Sequence, residues 1–290
     1  MSTDYITKDD IVYTVSDDSV YVTSAHKDIT KAIISSYVND KPVVCIDAYA
    51  FYHCENLEKV KIPSTVESIN GNAFAYCTSI KEIALPNSVK SLGSNVFDNC
   101  CTLENVKLSM ELVEIPNYAF RNCYNLNRII IGNKVRSIGS YAFFMCDKLN
   151  NVKLPNSVLE IKESAFNKCI ELSKIDFGDK LMEIADHAFE DCESLETIDL
   201  PDSVNDIGGF AFYECCKLHN IKLPKNIPHI YNGTFFHCKS LHYIKIPNSV
   251  KSIRTYAFFN CGVLDVDISK DTIIDEKAFY NTKCNINVYD

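Results

Sequence analysis

The sequence predicts an α/β-type repeat solenoid, and three observations lead there. A phenylalanine returns every 23 residues, a two-residue apolar alternation follows it at a fixed distance, and a proline or glycine closes most of the alternations. Phe51, Phe74, Phe97, Phe120, Phe143, Phe166, Phe189, Phe212, Phe235 and Phe258 are spaced by 23 residues throughout, and Phe279 comes 21 after the last of them. The chain of 290 residues exceeds a usual single core, and the period resolves the choice between two globules and one elongated array in favour of the array.

Each core position holds this register. A small residue precedes the Phe, usually Ala, with Val96 and Thr234 as the exceptions. Cysteine stands three residues after it, from Cys54 and Cys77 to Cys261, and Leu or Ile six after it, as at Leu57 and Ile80. Nine and eleven residues on come Val60 and Ile62, Ile83 and Leu85, and so through Ile244 and Ile246, the alternation of a short strand with one face buried. Residues such as Pro63, Pro86 and Gly132 then end the strand. A second apolar pair, Val66 and Ile69 in the first copy, predicts another short extended segment. No unit can enclose these side chains alone, so each must stack on its neighbours.

Three segments follow from the pattern. Residues 1–46 form an entry segment, in which 11–15 and 20–23 read as a β-hairpin covering the first open edge. Ten repeats occupy 47–272, and 273–290 is a truncated capping unit, where the spacing contracts and proline is lost.

The strings AFYHCENLEKVKIPSTVESI at 50–69, TYAFFNC at 255–261 and ISSYVNDKPVVCIDAYAF at 34–51 resemble the BspA-like leucine-rich repeat family. The resemblance spans nearly the whole chain from about residue 30. It implies a curved leucine-rich-repeat array with a parallel β-sheet on its inner face and short strands and turns on the other sides. It further implies protein binding and adhesion at a cell surface, and no chemistry. The glycine common after the second apolar pair is kept only at places such as Gly93, Gly139 and Gly208.

Composition narrows the function classes. A net charge of −9 disfavours nucleic acid, whose phosphates need a basic surface. No apolar run of membrane-spanning length occurs, which argues against membrane insertion. The first ten residues carry no basic stretch followed by an apolar run, so the chain as written reads as cytoplasmic, whereas the family resemblance suggests a surface or secreted location. The expected oligomeric state is a monomer.

Ten of the 14 cysteines share one repeat position among apolar neighbours, which reads as a ladder of small buried hydrophobes. Cys45, Cys101, Cys216 and Cys284 lie off it, and no Cys-x2-Cys spacing suggests zinc. His219 and His242 occupy the same position in adjacent repeats, with His229 and His237 near in sequence. They are the only candidates for a metal site, a reading set against solvated polar positions because no third ligand is in register. A nucleophile held by a base in a pocket is not visible, and no phosphate loop occurs, so the expectation is a protein without enzymatic activity and without a cofactor.

The residues eight and ten after each Phe point away from the predicted core. They include Lys59, Lys61, Lys107, Arg128, Lys153, Lys174, Lys222, Tyr243 and Lys245, and across nine repeats eight are basic and three acidic. Such a strip on an acidic body suits an acidic protein or glycan partner. The competing reading is a lysine-rich face that only keeps a sheet soluble, since the neighbouring row (Glu58, Lys81, Glu104, Glu196) dilutes the charge. A structural or self-assembling role is the alternative function. Aromatics beside the core Phe (Tyr52, Tyr76, Phe144, Tyr213, Phe236, Phe259, Tyr280) form either a second contact strip or a cover over adjacent turns.

Overall fold

The computed structural model describes residues 4–289, so the first three residues and the last residue of the two expected end segments lie outside it. From Phe51 onward each 23-residue unit makes one coil with two strands. The first, three residues long, runs through Lys59–Lys61, Glu82–Ala84, Asn105–Lys107, Arg128–Ile130, Asn151–Lys153, Lys174–Asp176, Thr197–Asp199, Asn220–Lys222 and Tyr243–Lys245. The second, two residues long, runs from Ser68–Ile69 to Ser252–Ile253. Equivalent strands pair in parallel, in a register of one repeat: Asn105 faces Glu82 and Arg128, and Glu160 faces Ser137 and Glu183. The two rows of strands form a front sheet and a side sheet, each made of short hydrogen-bonded ladders set end to end.

No helix is found among the described residues, which corrects the α/β-type expectation to an all-β coil closed by turns. The reason lies around each repeat phenylalanine from Phe51 to Phe258. The residues two before and two after it adopt positive φ, as in Tyr49 (62°) and His53 (58°), Tyr118 (59°) and Asn122 (60°), or His187 (59°) and Asp191 (58°). L-residues at positive φ cannot continue a right-handed helix, so the backbone turns at each one. The strain of about 1–3 kcal/mol per residue is offset between coils. Tyr118 N–H donates to the Ser140 carbonyl and Asn122 N–H to that of Phe144, both one coil further on.

One apolar cluster runs from Ile11 to Ala278. At its centre the phenylalanines stack ring on ring, with centroids 5.0–5.6 Å apart from Phe51 to Phe279 and ring planes within 16°. The cysteines do more than fill space. Nine of them, Cys77 through Cys261, donate S–H to the carbonyl of the Phe 26 residues earlier at 3.1–3.2 Å. The same carbonyls accept the N–H of the cysteine in their own coil, as Phe51 O does from Cys54 N at 3.0 Å. Every such Phe carbonyl is thereby satisfied twice, once within its coil and once across the seam. In the last coil Thr282 stands at the cysteine position, and its hydroxyl donates to Phe258 O.

The entry segment caps the side sheet. Strands Asp4–Lys8, Ile11–Val15 and Val20–Ala25 pair antiparallel; Val20–Ala25 then pairs in parallel with Lys41–Ile46, which pairs with Ser68–Ile69. The front sheet begins separately, with Lys31–Ile33 beside Lys59–Lys61. At the other end, Val263–Ser269 pairs over seven residues with Lys283–Tyr289, and Ile273–Ile274 extends the side sheet. This last coil is thinly covered, with Ile273 72% and Val288 64% exposed.

Phe166→Ala in the middle of the array should cost about 3–5 kcal/mol, the transfer and cavity cost of a large buried ring. Denaturant unfolding reads this directly, and a loss under about 1 kcal/mol would mean that the ring stack does not bear on stability. Burial pushes the ladder thiols far up from their ordinary acidity, Cys261 to about 12. Thiolate is the reactive form. A thiol reagent at neutral pH should therefore find only the partly exposed Cys101, Cys216 and Cys284 in native protein, and all 14 after denaturation. Rapid native labelling of ladder cysteines would contradict this account.

Candidate functional site: the charged face of the front sheet

Three-residue strands leave two side chains per coil pointing away from the core and one pointing in. Lys59, Lys61, Lys107, Arg128, Lys153, Lys174, Lys222, Tyr243 and Lys245 are all exposed on this face, while Ile83, Val106, Ile129 and Val152 between the outward rows are buried. The sequence alternation therefore places the candidate residues on one continuous surface.

The structure lengthens that surface at both ends. Lys31–Ile33 adds a strand in which Lys31 faces Lys59 and Ile33 faces Lys61. On the far side Asp265 and Asp267 face Tyr243 and Lys245, and Asn285 and Asn287 follow. With these included, the charge divides. From Lys31 to Asp176 the two outward rows carry seven basic side chains (Lys31, Lys59, Lys61, Lys107, Arg128, Lys153, Lys174) against Glu82 and Asp176. From Thr197 to Asn287 they carry Lys222 and Lys245 against Asp199, Asp265 and Asp267.

Pairing sharpens the division. Lys174 Nζ lies 3.3 Å from Asp176 and Lys222 Nζ 3.1 Å from Asp199, so two of the candidate lysines are partly neutralised. Tyr243 donates its hydroxyl to Asp267 at 2.8 Å, which with Asn287 holds that carboxyl below the usual carboxylate range. Lys245 sits 5.9 Å over the Tyr289 ring. Among the described residues, no ion pair involves Lys59, Lys61, Lys107, Arg128 or Lys153. A hollow of about 980 Å³ opens on this half around Ala84, and its charged lining is balanced, with Lys59, Lys81 and Lys107 against Glu58, Glu82 and Glu104. The short Ala84 side chain leaves room there between Lys61 and Lys107.

The late histidines do not converge. His219 and His242 are exposed one coil apart beside the front sheet, His219 Nδ1 lying 3.2 Å from the Lys217 carbonyl. His229 meets Ser252 at 2.9 Å on the side sheet, and His237 meets Glu214 on the turn side. Among the described residues no group of three His, Cys, Asp or Glu side chains is placed to hold a metal ion. The aromatics beside the core Phe stack on one another across the turns, as in Tyr213–Phe236 (4.9 Å), Phe236–Phe259 (4.3 Å) and Phe259–Tyr280 (5.9 Å).

One buried charge stands out on the turn side. Asp98, 3% exposed, receives Arg121 through Nε at 2.8 Å and Nη2 at 2.6 Å, with Asn99 donating at 2.9 Å. The fork satisfies the carboxylate and ties two coils together, which is a structural task. Arg121→Met should destabilise the chain by about 3 kcal/mol, because it leaves a buried carboxylate without its partner. Adding Asp98→Leu should recover most of that loss in urea unfolding; no recovery would place the importance of Arg121 elsewhere.

The family described as BspA type leucine rich repeat region matches residues 44–173 and 160–286, in six copies. No curated protein matches the chain in sequence. Among solved structures, a leucine rich cell surface protein from Faecalibacterium prausnitzii A2-165 aligns with a TM-score of 0.58 at 25% identity, covering 100% of this chain and 96% of that one. A leucine-rich repeat protein from Bacteroides ovatus ATCC 8483 gives 0.52 at 22% identity, over 98% and 100% of the two chains. The pneumococcal vaccine antigen PcpA gives 0.52 at 16% identity, over 97% and 88%.

Proposed function

The chain belongs to the BspA-type leucine-rich repeat family, and from that premise we propose that it is a non-enzymatic binding solenoid whose front sheet docks an acidic protein or glycan surface. The observation that carries this reading is the segregation of charge. Seven basic side chains and two acidic ones share the outward rows of the first half of the sheet, on a molecule with a net charge of −9. Scattered lysines would serve solubility equally well, but a basic patch set apart from an acidic body creates a local field that steers acidic partners to it. The residues proposed to make contact are Lys59, Lys61, Lys107, Arg128 and Lys153, with Lys31 added by the extra strand. Lys174 and Lys222 contribute less, because Asp176 and Asp199 already answer them.

A surface location is part of this proposal, supported by the likeness to a cell surface protein of F. prausnitzii. No helix among the described residues is long and apolar enough to cross a membrane. A second reading, assembly of the array with copies of itself, is favoured by the strand Lys283–Tyr289, whose Ile286 and Val288 are 43% and 64% exposed along an edge. The measured mass in solution separates the two, since a stable monomer at micromolar concentration counts against self-assembly.

The charge reversals Lys61→Glu, Lys107→Glu and Lys153→Glu together should weaken binding of immobilised polyglutamate by about tenfold or more, with the effect fading as salt rises. The matched reversals Arg136→Glu, Lys180→Glu and Lys251→Glu, beyond the front sheet, should change it by less than about twofold. Equal effects of the two sets would defeat the proposal.

A further inference from the structure

The third position of the front strands has an order of its own. From the amino-terminal end it reads Ile33, Lys61, Ala84, Lys107, Ile130, Lys153. The registers set these residues in one row, Ile33 beside Lys61, Ala84 beside Lys107 and Lys107 beside Ile130, and the neighbouring ladders adjoin. A lysine therefore stands at every second coil, separated by an apolar residue that is short (Ala84) or open to solvent (Ile130, 53% exposed). Asp176 and Asp199 occupy the next two places and end the row.

Strands in a sheet lie about 4.8 Å apart, so the lysines recur about every 9.6 Å along the array. A chain lying along the row must offer an acceptor at that interval and apolar surface in between. An extended strand returns the same face about every 6.6 Å, too short for the interval. An α-helix returns a face every 5.4 Å, or about 10.8 Å over two turns, and drifts by about 2.4 Å across three lysines. A polyproline II helix has three residues per turn and a rise of about 3.1 Å, so it repeats every 9.3 Å and drifts by only about 0.6 Å over the same distance. Its unpaired backbone needs no strand edge, and its proline rings suit the Ala84 and Ile130 positions.

We propose that the Lys61–Lys107–Lys153 row recognises an acidic peptide in polyproline II conformation, with a carboxylate at every third residue. This rests on the acidic-partner reading above and adds the class of partner and its spacing. The three ammonium groups each take one carboxylate, and the two apolar places receive the intervening side chains.

The test compares two labelled peptides of equal composition by fluorescence anisotropy against the full chain. One repeats Glu-Pro-Pro three times, and the other gathers the three glutamates at one end. The spaced peptide should bind about fivefold or more tightly, as two added exposed ion pairs would give. Lys107→Gln should abolish most of that preference, while Lys180→Gln should leave it intact. Equal binding of both peptides, with both lost on reversal of the lysine row, overturns the spacing and leaves the acidic-partner reading standing. Binding of a sulfated oligosaccharide with neither peptide bound overturns the peptide class. Failure of all three probes overturns both readings.

Discussion

A coil of 23 residues cannot enclose its own apolar side chains, and nearly every feature of this molecule answers that deficit. The phenylalanine at the centre of each coil has ring neighbours above and below at 5.0–5.6 Å, and its carbonyl is bound both by its own coil and by the thiol of the next. Each contact that completes one coil thus belongs to another. Stability in such an array is a sum over seams rather than a property of any unit, and the array needs a specialised beginning, which the antiparallel strands between Asp4 and Ala25 supply.

The same constraint makes the outward face of the front sheet. With the core satisfied by the inward side chains, the outward positions of the front strands are free of any packing duty. Their identities vary from coil to coil, as a comparison of Lys61, Ala84, Lys107 and Ile130 shows. The backbone repeats while the outward chemistry does not, so this face has a fixed ruler of about 4.8 Å on which charge can be arranged. Likeness in fold to leucine-rich repeat proteins at 16–25% identity fits that division of labour: the coil is common ground, and the outward rows are where one chain can differ from another.

Much of the fold was legible in the sequence because its signal is periodic. The Phe spacing, the alternation at Val60 and Ile62, and the turn between Val15 and Val20 each mark a local structure present in the fold. Lys31–Ile33 was not legible, because the coil that holds it is entered from the terminal strands and has no Ala-Phe pair to set its phase. The left-handed residues flanking Phe51 to Phe258 were hidden as well, since Tyr, Met, Ser, Glu and Lys share those places with the Asn and His that favour positive φ, and no one residue type marks them. The cysteines read as small hydrophobes, and only geometry shows the bond from each thiol to a carbonyl 26 residues back. For the candidate face, the rows were readable but the division of charge was not, because Asp265 and Asp267 join the sheet through a coil whose spacing departs from 23 residues.

The thiol ladder gives the native molecule an unusual relation to oxidants. While the coils remain stacked, the buried sulfurs are protonated and out of reach, so exposure to an oxidising exterior leaves the ladder unchanged. Unstacking releases many sulfhydryls from neighbouring positions at once, and air or a peroxide would then cross-link them in arbitrary pairs. A brief thermal excursion that a cysteine-poor solenoid would survive thus becomes, for this one, a ratchet toward scrambled covalent forms, and its durability outside a reducing compartment is set by how rarely the seams open.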